Sequence, residues 1–218
     1  MEQISLFGEE NVVKSSSKED NKNKDWTGNF HSVVGCLGAS NHTNEERQEH
    51  DFYATDPIAA EWLMQLEELN HNIWECACGQ LHLAMPFIKA GYNVKCTDLI
   101  DRGFGELGQG GVDFLACEDK FDGDIVTNPP YSKASEFIEH SLSLVNDGSK
   151  VCMFLKVQFL EGKQRRKLFE KYPPKHVWVS SSRIKCGKNG NFAESMVAYA
   201  WYVWEKGYKG DTILKWFN

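Results

Sequence analysis

The chain of 218 residues lacks several features that mark specialised classes of protein. It has no apolar run of the length that a membrane span requires, and its polar N-terminus has no secretory signal pattern. Its seven cysteines are odd in number and lie in apolar, strand-like stretches rather than at the spacing of a disulfide framework. These absences argue against a membrane protein and a disulfide-bonded secreted domain, and they predict a cytoplasmic protein.

The sequence also lacks a recognisable metal site and an overall basic charge. Cys76 and Cys78 are separated by a single residue, which is too close for a structural zinc pair, and no second pair follows. With 24 Lys and Arg against 31 Asp and Glu, the net charge is −7, which weighs against nucleic-acid binding over the whole surface. We therefore expect no metal, and we expect any contact with nucleic acid to be local.

One segment departs from this acidic balance. Residues 150–188 contain eleven Lys and Arg, opposed only by Glu161 and Glu170. A local basic face of this kind can engage a phosphate backbone. The stretch 164–171 would also make an ordinary solvated helix face, so both interpretations stay open for it.

The chain divides into a polar tail and one folded domain. Residues 1–45 are polar and are predicted to be flexible, whereas residues 46–218 form the domain. Helical patterns alternate there with short apolar runs, and the alternation predicts an α/β fold with a mostly parallel sheet. The apolar runs are at 73–74, 92–98, 112–115, 125–126, 151–155, 177–179, 196–204 and 212–216. The last two runs are predicted to pair as an antiparallel hairpin at the sheet edge.

The tetrapeptide Asn128-Pro129-Pro130-Tyr131 directly follows an apolar strand signal at 124–126. Its two prolines fix φ and cannot continue a strand ladder or a helix, so the turn is stiff. Asn128 can both accept and donate hydrogen bonds, and the Tyr131 ring offers a stacking face. Such a turn can hold a planar group that bears an amine beside a reactive centre.

Acidic residues end the first two predicted strands. Glu75 and Gly79 lie at the first strand-to-helix turn, where ligands of α/β sheets bind. Asp98 follows Gly79 by 19 residues, the spacing at which an acidic side chain holds a ribose diol in nucleoside-binding folds. Asp101 is an alternative for that role. An ordinary glycine turn and a helix-capping Asp would give the same pattern.

Asp113 and Phe114 are predicted to end a third strand. The carboxylate can accept from the exocyclic amine of an adenine ring, and the aromatic ring can cover its face. Phe114 would equally suit the core of the domain. Together with the tetrapeptide, these residues place four polar or aromatic features on successive strand ends.

In this order the four features resemble the S-adenosylmethionine-dependent class I methyltransferases, in the branch that carries Asp/Asn-Pro-Pro-Tyr/Phe and methylates amino groups. Within it, the chain is most similar to small DNA adenine-N6 methyltransferases of bacteria and their phages. The resemblance covers about residues 50–218. It implies a Rossmann-like fold with a mostly parallel seven-stranded sheet and an antiparallel C-terminal hairpin. It also implies S-adenosylmethionine as cofactor, DNA as partner, and methyl transfer to the N6 amine of adenine.

The resemblance further implies roles for individual residues. Asn128 and the carbonyl of Pro129 would accept hydrogen bonds from the target amine, and Tyr131 would stack on a base flipped out of the duplex. The implied catalytic residues are Asn128, Pro129, Pro130 and Tyr131. The implied cofactor-binding residues are Tyr53, Thr55, Pro57, Glu75, Ala77, Gly79, Asp98, Leu99, Asp113, Phe114 and Asn128.

Two departures from the family's pattern affect these expectations. The second glycine of the cofactor turn is replaced by Leu81, which bears on cofactor affinity. Few residues follow the tetrapeptide, so the recognition region must be compact, and we place it at about 156–192. Its predicted nucleic-acid contacts are Lys156, Arg183, Lys185, Lys188, Asn189 and Phe192. The loop from 180 to 192 would also be consistent with a plain surface hairpin.

Other functions and partners fit parts of the sequence. Methyltransferases of RNA bases and of protein glutamine also carry Asn-Pro-Pro-Tyr, and a methyltransferase-like protein that only binds DNA would keep the fold. Gln3-Ile4-Ser5-Leu6-Phe7 resembles the short peptide by which bacterial proteins bind the DNA sliding clamp. A chance apolar start to a polar tail would look the same.

Overall fold

The computed structural model describes residues 54–184, 186–187 and 197–218. The strands are β1 (Ala54–Thr55), β2 (Asn72–Glu75), β3 (Asn93–Cys96), β4 (Asp124–Thr127), β5 (Lys150–Lys156), β6 (His176–Ser180), β7 (Cys186–Gly187), β8 (Tyr199–Glu205) and β9 (Ile213–Phe217). The α-helices are α1 (Ile58–Leu66), α2 (Ala84–Lys89), α3 (Ala134–Leu144) and α4 (Lys163–Lys171). Short 3₁₀ helices span Gly105–Leu107, Phe114–Ala116, Tyr131–Lys133 and Val157–Leu160.

Seven strands form one sheet in the order β3-β2-β4-β5-β8-β6-β9. Within it, β3, β2, β4 and β5 pair in parallel, as do β6 and β9. Strand β8 runs antiparallel to both of its neighbours, β5 and β6. The predicted α/β fold with a mostly parallel seven-stranded sheet is confirmed, and the antiparallel strand near the C-terminus is β8.

The pairing of the last two strands differs from the predicted hairpin. Strand β8 inserts between β5 and β6, and β9 pairs with β6 rather than with β8. Six of the seven residues of β8 are buried, whereas four of the five residues of β9 are exposed. A strand that is buried on both faces lies inside a sheet, between two neighbours, while a strand whose side chains are mostly exposed suits the edge.

The predicted strand at 112–115 is absent from the described sheet. Asp113 instead caps the 3₁₀ helix Phe114–Ala116, since its Oδ1 accepts a hydrogen bond from the Leu115 amide at 3.0 Å. A short acidic side chain that bonds to nearby backbone competes with strand pairing in this way. The prediction of a strand end at Asp113 and Phe114 is therefore wrong, although both residues still lie beside the sheet edge.

The core has one layer on each face of the sheet. Alternate residues of β5 point to opposite faces, so Val151, Met153 and Leu155 pack on the side of α3 while Cys152 and Phe154 pack on the side of α1. This arrangement leaves the carboxyl ends of the parallel strands as the place where loops converge. Among the described residues, no helix is long and apolar enough to cross a membrane.

Candidate functional site

A pocket of about 330 Å³ lies at the carboxyl ends of β2, β3 and β4. Its volume falls within the range of about 300–1,000 Å³ that is common for small-molecule sites. Twelve residues that the sequence predicts for the site line it together. They are Thr55, Glu75, Ala77, Gly79, Asp98, Leu99, Asp113, Phe114, Asn128, Pro129, Pro130 and Tyr131.

Some predicted site residues lie elsewhere. Pro57 is at the start of α1 and does not line the pocket, and Arg183 is exposed beyond β6. Lys156 is not in the lining, but its Nζ lies 4.9 Å from the centre of the Tyr131 ring. Outside the described residues are Tyr53, Lys185, Lys188, Asn189, Phe192 and the segment 3–7.

Asp98 joins the two loops that follow β2 and β3. Its Oδ2 accepts a hydrogen bond from the Gly79 amide at 2.8 Å, and its Oδ1 accepts one from the Ile100 amide at 2.9 Å. Gly79 has φ +54°, a conformation that favours glycine. Since a carboxylate offers about four lone-pair sites, Asp98 has capacity for further donors such as the hydroxyls of a diol.

Leu81, at the position of the family's second glycine, has φ +66°. It therefore keeps the left-handed backbone of a glycine while carrying a side chain, which costs about 1–2 kcal/mol. That side chain is buried in a small cluster with Cys78, Ala84, Cys96 and Phe104, and it is not among the residues that line the pocket. The Leu81 side chain thus leaves the pocket open.

Glu75 is a buried carboxyl group in the floor of the pocket, and burial raises its pKa to about 8. The neighbouring Thr127 side chain and a hydrogen bond from the Ala77 amide lower this pKa, while the charge of Asp98 raises it further. Glu75 is consequently protonated at neutral pH. A cationic group entering the pocket would favour the ionised form.

The Asn128 turn is held by contacts on both sides. The Asn128 Nδ2 donates a hydrogen bond to the Thr55 Oγ1 at 2.8 Å. The carbonyl of Pro130 accepts from the Lys133 amide at 2.9 Å, which closes the turn into the 3₁₀ helix Tyr131–Lys133. Because the two prolines restrict φ in addition, the amide of Asn128 has a defined position in the pocket wall.

Tyr131 begins a row of aromatic rings that runs from the pocket lining into the core. Its ring centre is 6.4 Å from that of Tyr199, and the two hydroxyls are 3.3 Å apart. Tyr199 stacks in turn on Phe154, with ring centres 5.2 Å apart and planes inclined by 12°. The row gives Tyr131 a packed support on one side.

Sequence reasoning missed several residues of the pocket, among them Gln80, His82, Ile100, Arg102 and Lys133. The Arg102 Nε lies 4.0 Å from the Asp98 Oδ1, and burial lowers the pKa of His82, so its imidazole is neutral at neutral pH. The only sequence feature that could have pointed to Arg102 is its position four residues after Asp98.

Within residues 54–184, 186–187 and 197–218, no cluster of three or more His, Cys, Asp or Glu is placed to hold a metal ion.

Neither a protein-family model nor a curated protein sequence matches the chain. Solved structures do. A Listeria monocytogenes protein assigned as a class I S-adenosylmethionine-dependent methyltransferase superposes with a TM-score of 0.56 at 14% identity, over 85% of this chain and 71% of that one. A Pyrococcus horikoshii protein assigned as an RNA methyltransferase gives 0.53 at 14% identity, over 81% and 98%.

The methyltransferase subunit of a type I restriction-modification system from Streptococcus thermophilus superposes with a TM-score of 0.55 at 14% identity. The match covers 78% of this chain and 48% of that subunit. At this identity the three likenesses establish the fold. The chain has the Rossmann-like class I methyltransferase fold, as predicted.

Proposed function

We propose that this protein is an S-adenosylmethionine-dependent methyltransferase that acts on the N6 amine of adenine in DNA. The observation that carries the proposal is the meeting of two sets of residues in one pocket. The Asn128-Pro129-Pro130-Tyr131 turn lines this pocket, and so does the Glu75 to Gly79 turn with Asp98. A cofactor and a planar amine therefore have adjoining places on the same sheet edge.

The chemistry of the lining fits S-adenosylmethionine. Asp98 would accept from the ribose hydroxyls, and exposed Leu99 offers apolar surface to an adenine ring, while Phe114 lines the pocket from the core. Asp113 is exposed beside Phe114 and can accept from a ring amine. Glu75 is a buried residue of the same lining, and its ionised form would balance the positive charge of the methionine part. When bound, the cofactor supplies an electrophilic sulfonium methyl group.

The residues of the turn can prepare an amine for methyl transfer. An exocyclic amine conjugated to a purine is a poor nucleophile, because its lone pair is delocalised into the ring. Hydrogen bonds from its N–H groups to the oxygens of Asn128 and Pro129 would favour tetrahedral geometry at nitrogen and expose the lone pair. Tyr131 would hold the base by stacking after it leaves the duplex. Positioning and electrostatics would carry the rate, without a strong base.

Two basic side chains near the pocket mouth favour a nucleic-acid substrate. Lys133 is exposed and lines the pocket, and Lys156 lies against the Tyr131 ring. In the proposed complex, both would contact phosphates beside the flipped nucleotide. In the proposed function, Arg183 and the undescribed Lys185, Lys188, Asn189 and Phe192 extend this contact within the compact recognition region at 156–192.

RNA bases and protein glutamine are the alternative substrates for methyl transfer. A methyltransferase-like protein that binds DNA but transfers no methyl group is the third alternative. The position of the Leu81 side chain outside the pocket lining weighs against the inactive alternative, since nothing from that residue obstructs the pocket. The lysines at the mouth weigh against protein glutamine.

Transfer of labelled methyl from S-adenosylmethionine to unmethylated DNA, RNA and lysate protein tests the proposal, with the product identified by mass spectrometry. N6-methyladenine in DNA is the expected product. Label found only in RNA or protein would show that the proposed substrate is wrong and that methyl transfer itself is right. Cofactor binding without any transfer, or no binding at all, would overturn the proposed enzyme activity.

A sliding-clamp contact through Gln3-Ile4-Ser5-Leu6-Phe7 remains a separate prediction for a segment outside the described residues. Deleting residues 2–8 should abolish co-purification with a purified bacterial clamp while leaving methyl transfer intact. Replacing Leu6 and Phe7 by Ala in the full chain is the matched point variant. Clamp capture that survives both changes would exclude the peptide as the binding element.

A further inference from the structure

Glu75 is a buried acidic residue of the pocket lining that has no cationic partner in the described part of the chain. The residue is 3% exposed, and its Oε1 accepts a hydrogen bond from the Ala77 amide at 3.4 Å. Among the described residues, no Lys, Arg or His side chain forms an ion pair with it. An ionised carboxylate in this place therefore lacks both water and a counter-charge.

The groups around Glu75 bring no positive charge to it. Asp98, in the loop after β3, adds a negative charge, and Thr127 of β4 is polar but neutral. Arg102 lies against Asp98, with its Nε 4.0 Å from the Asp98 Oδ1, and burial keeps His82 neutral by lowering its pKa. Three neighbouring thiols are neutral as well, because burial raises the pKa of each of them, and they are Cys76, Cys78 and Cys96. Burial and Asp98 thus keep Glu75 protonated in the ligand-free protein at neutral pH.

We infer that Glu75 couples the binding of the cofactor to the release of a proton, and that this coupling favours S-adenosylmethionine over the product S-adenosylhomocysteine. The inference rests on the proposed function, since it concerns that cofactor. The product carries one positive charge fewer, because its sulfur is a neutral sulfide rather than a sulfonium. The extra charge of the cofactor would favour the ionised form of Glu75, whereas the product brings no net charge to the pocket.

Glu75 would therefore hold its proton in the complex with the product and lose it in the complex with the cofactor. After methyl transfer the sulfur is neutral, so Glu75 would take up a proton from solvent. A neutral carboxyl group attracts the product less than a carboxylate attracts the cofactor. The lining would in this way favour exchange of the product for new cofactor.

The affinity for S-adenosylmethionine should depend on pH. Ligand-free Glu75 keeps its proton up to its pKa of about 8, whereas the complex with the cofactor has released it. Raising the pH toward that value should consequently lower the Kd of the cofactor, by up to about tenfold per pH unit. The Kd of the product should change little, so the preference for the cofactor should increase with pH.

Isothermal titration calorimetry of the full chain near pH 6.5, in two buffers of different ionisation enthalpy, counts the protons released on binding. At this pH the amino group of either ligand is almost fully protonated before it binds. Binding of S-adenosylmethionine should release about 0.7 proton or more, and binding of S-adenosylhomocysteine about 0.3 or less. Glu75→Gln should release almost no proton with either ligand, and its preference for the cofactor should be about tenfold lower.

Asp113→Asn is the matched control, since it removes an exposed carboxylate of the same lining and should leave the proton count unchanged. Thermal melting shows whether each variant folds, and the wild-type comparison of the two ligands decides even if Glu75→Gln does not. Equal proton counts for the two ligands, or a release that persists in Glu75→Gln, would overturn the inference.

The same titrations separate this inference from the proposed function. Cofactor binding without proton release would overturn the role of Glu75 and leave the methyltransferase proposal intact. Methyl transfer to RNA or protein would change the proposed substrate, while a proton release confined to the cofactor would still support the inference. Failure of the wild-type chain to bind the cofactor would overturn both.

Discussion

At the scale of single residues, the proposed function makes Asn128 an acceptor for the substrate amine. Its side chain lines the pocket and donates a hydrogen bond to Thr55. Asn128→Ala should lower kcat by about 100-fold or more, because an acceptor for the reacting amine is lost, while cofactor Kd stays nearly unchanged. Single-turnover transfer and equilibrium cofactor binding check the two parts. Full methylation by this variant would show that the catalytic assignment is wrong.

Asp98 has a structural role in addition to the proposed contact with ribose. Its carboxylate accepts from the amides of Gly79 and Ile100, so Asp98→Ala should weaken cofactor binding and also lower the unfolding free energy by about 1–3 kcal/mol. Asp101→Ala is the matched control, since Asp101 is exposed and does not line the pocket. Calorimetric titration and urea denaturation measure the two effects. Loss of cofactor affinity in Asp101→Ala alone would transfer the ribose contact to that residue.

Glu75 should make the stability of the ligand-free protein depend on pH. Its folded pKa of about 8 lies above the ordinary 4.5, so between these values the folded state holds a proton that the unfolded chain has released. Raising the pH through this window therefore lowers the unfolding free energy, by up to about 1.4 kcal/mol per pH unit. Glu75→Gln should flatten that dependence, as urea denaturation near both ends of the window would reveal. Equal slopes in both proteins would contradict an elevated pKa.

At the scale of elements, the turn between β2 and α2 combines left-handed backbone with a buried side chain at Leu81. Leu81→Ala should cost about 2–4 kcal/mol because the side chain leaves a cavity. Leu81→Gly should be no less stable than Leu81→Ala despite losing one more carbon, since glycine adopts this φ without strain. Thermal unfolding ranks the two variants. If Leu81→Gly is clearly less stable than Leu81→Ala, the left-handed backbone at this position stores little strain. The cofactor Kd should be similar in the two variants.

The elements also show which parts of the site the sequence could predict. Glu75, Asp98 and Asn128 each follow an apolar strand, and parallel strands end at one edge, so their meeting could be expected. The contact of Asn128 with Thr55 could not, because no periodicity links residues 73 positions apart. The strand predicted at 112–115 failed since Asp113 bonds to its own backbone there. The predicted pairing of β8 with β9 also failed. Strand β8 is buried between β5 and β6, and this arrangement becomes evident only in the assembled sheet.

At the scale of the whole molecule, an acidic protein should bind DNA through a local basic mouth. Lys156 beside Tyr131 should contribute about one unit to the slope of log Kd against log salt concentration, so Lys156→Ala should reduce that slope and weaken binding across all sequences. Lys209→Ala is the control, since Lys209 is exposed in the turn after β8. This turn follows the end of β8 that pairs with the start of β5, whereas Lys156 lies at the other end of β5. Fluorescence anisotropy over a salt series measures both. If Lys209→Ala changes the salt slope and Lys156→Ala does not, the DNA does not bind at the pocket mouth.

The insertion of β8 between β5 and β6 has a consequence for biosynthesis. Strands β4, β5 and β6 leave the ribosome before β8, and until residues 199–205 emerge, β5 lacks its neighbour on one side. Five consecutive buried residues, Val151 to Leu155, then form an uncovered strand edge of the kind that pairs with other chains. The sheet can be completed only after residues 199–205 have been translated. The yield of folded protein in cells should therefore respond to chaperone capacity and to the rate at which residues 157–205 are translated, independently of any change at the pocket.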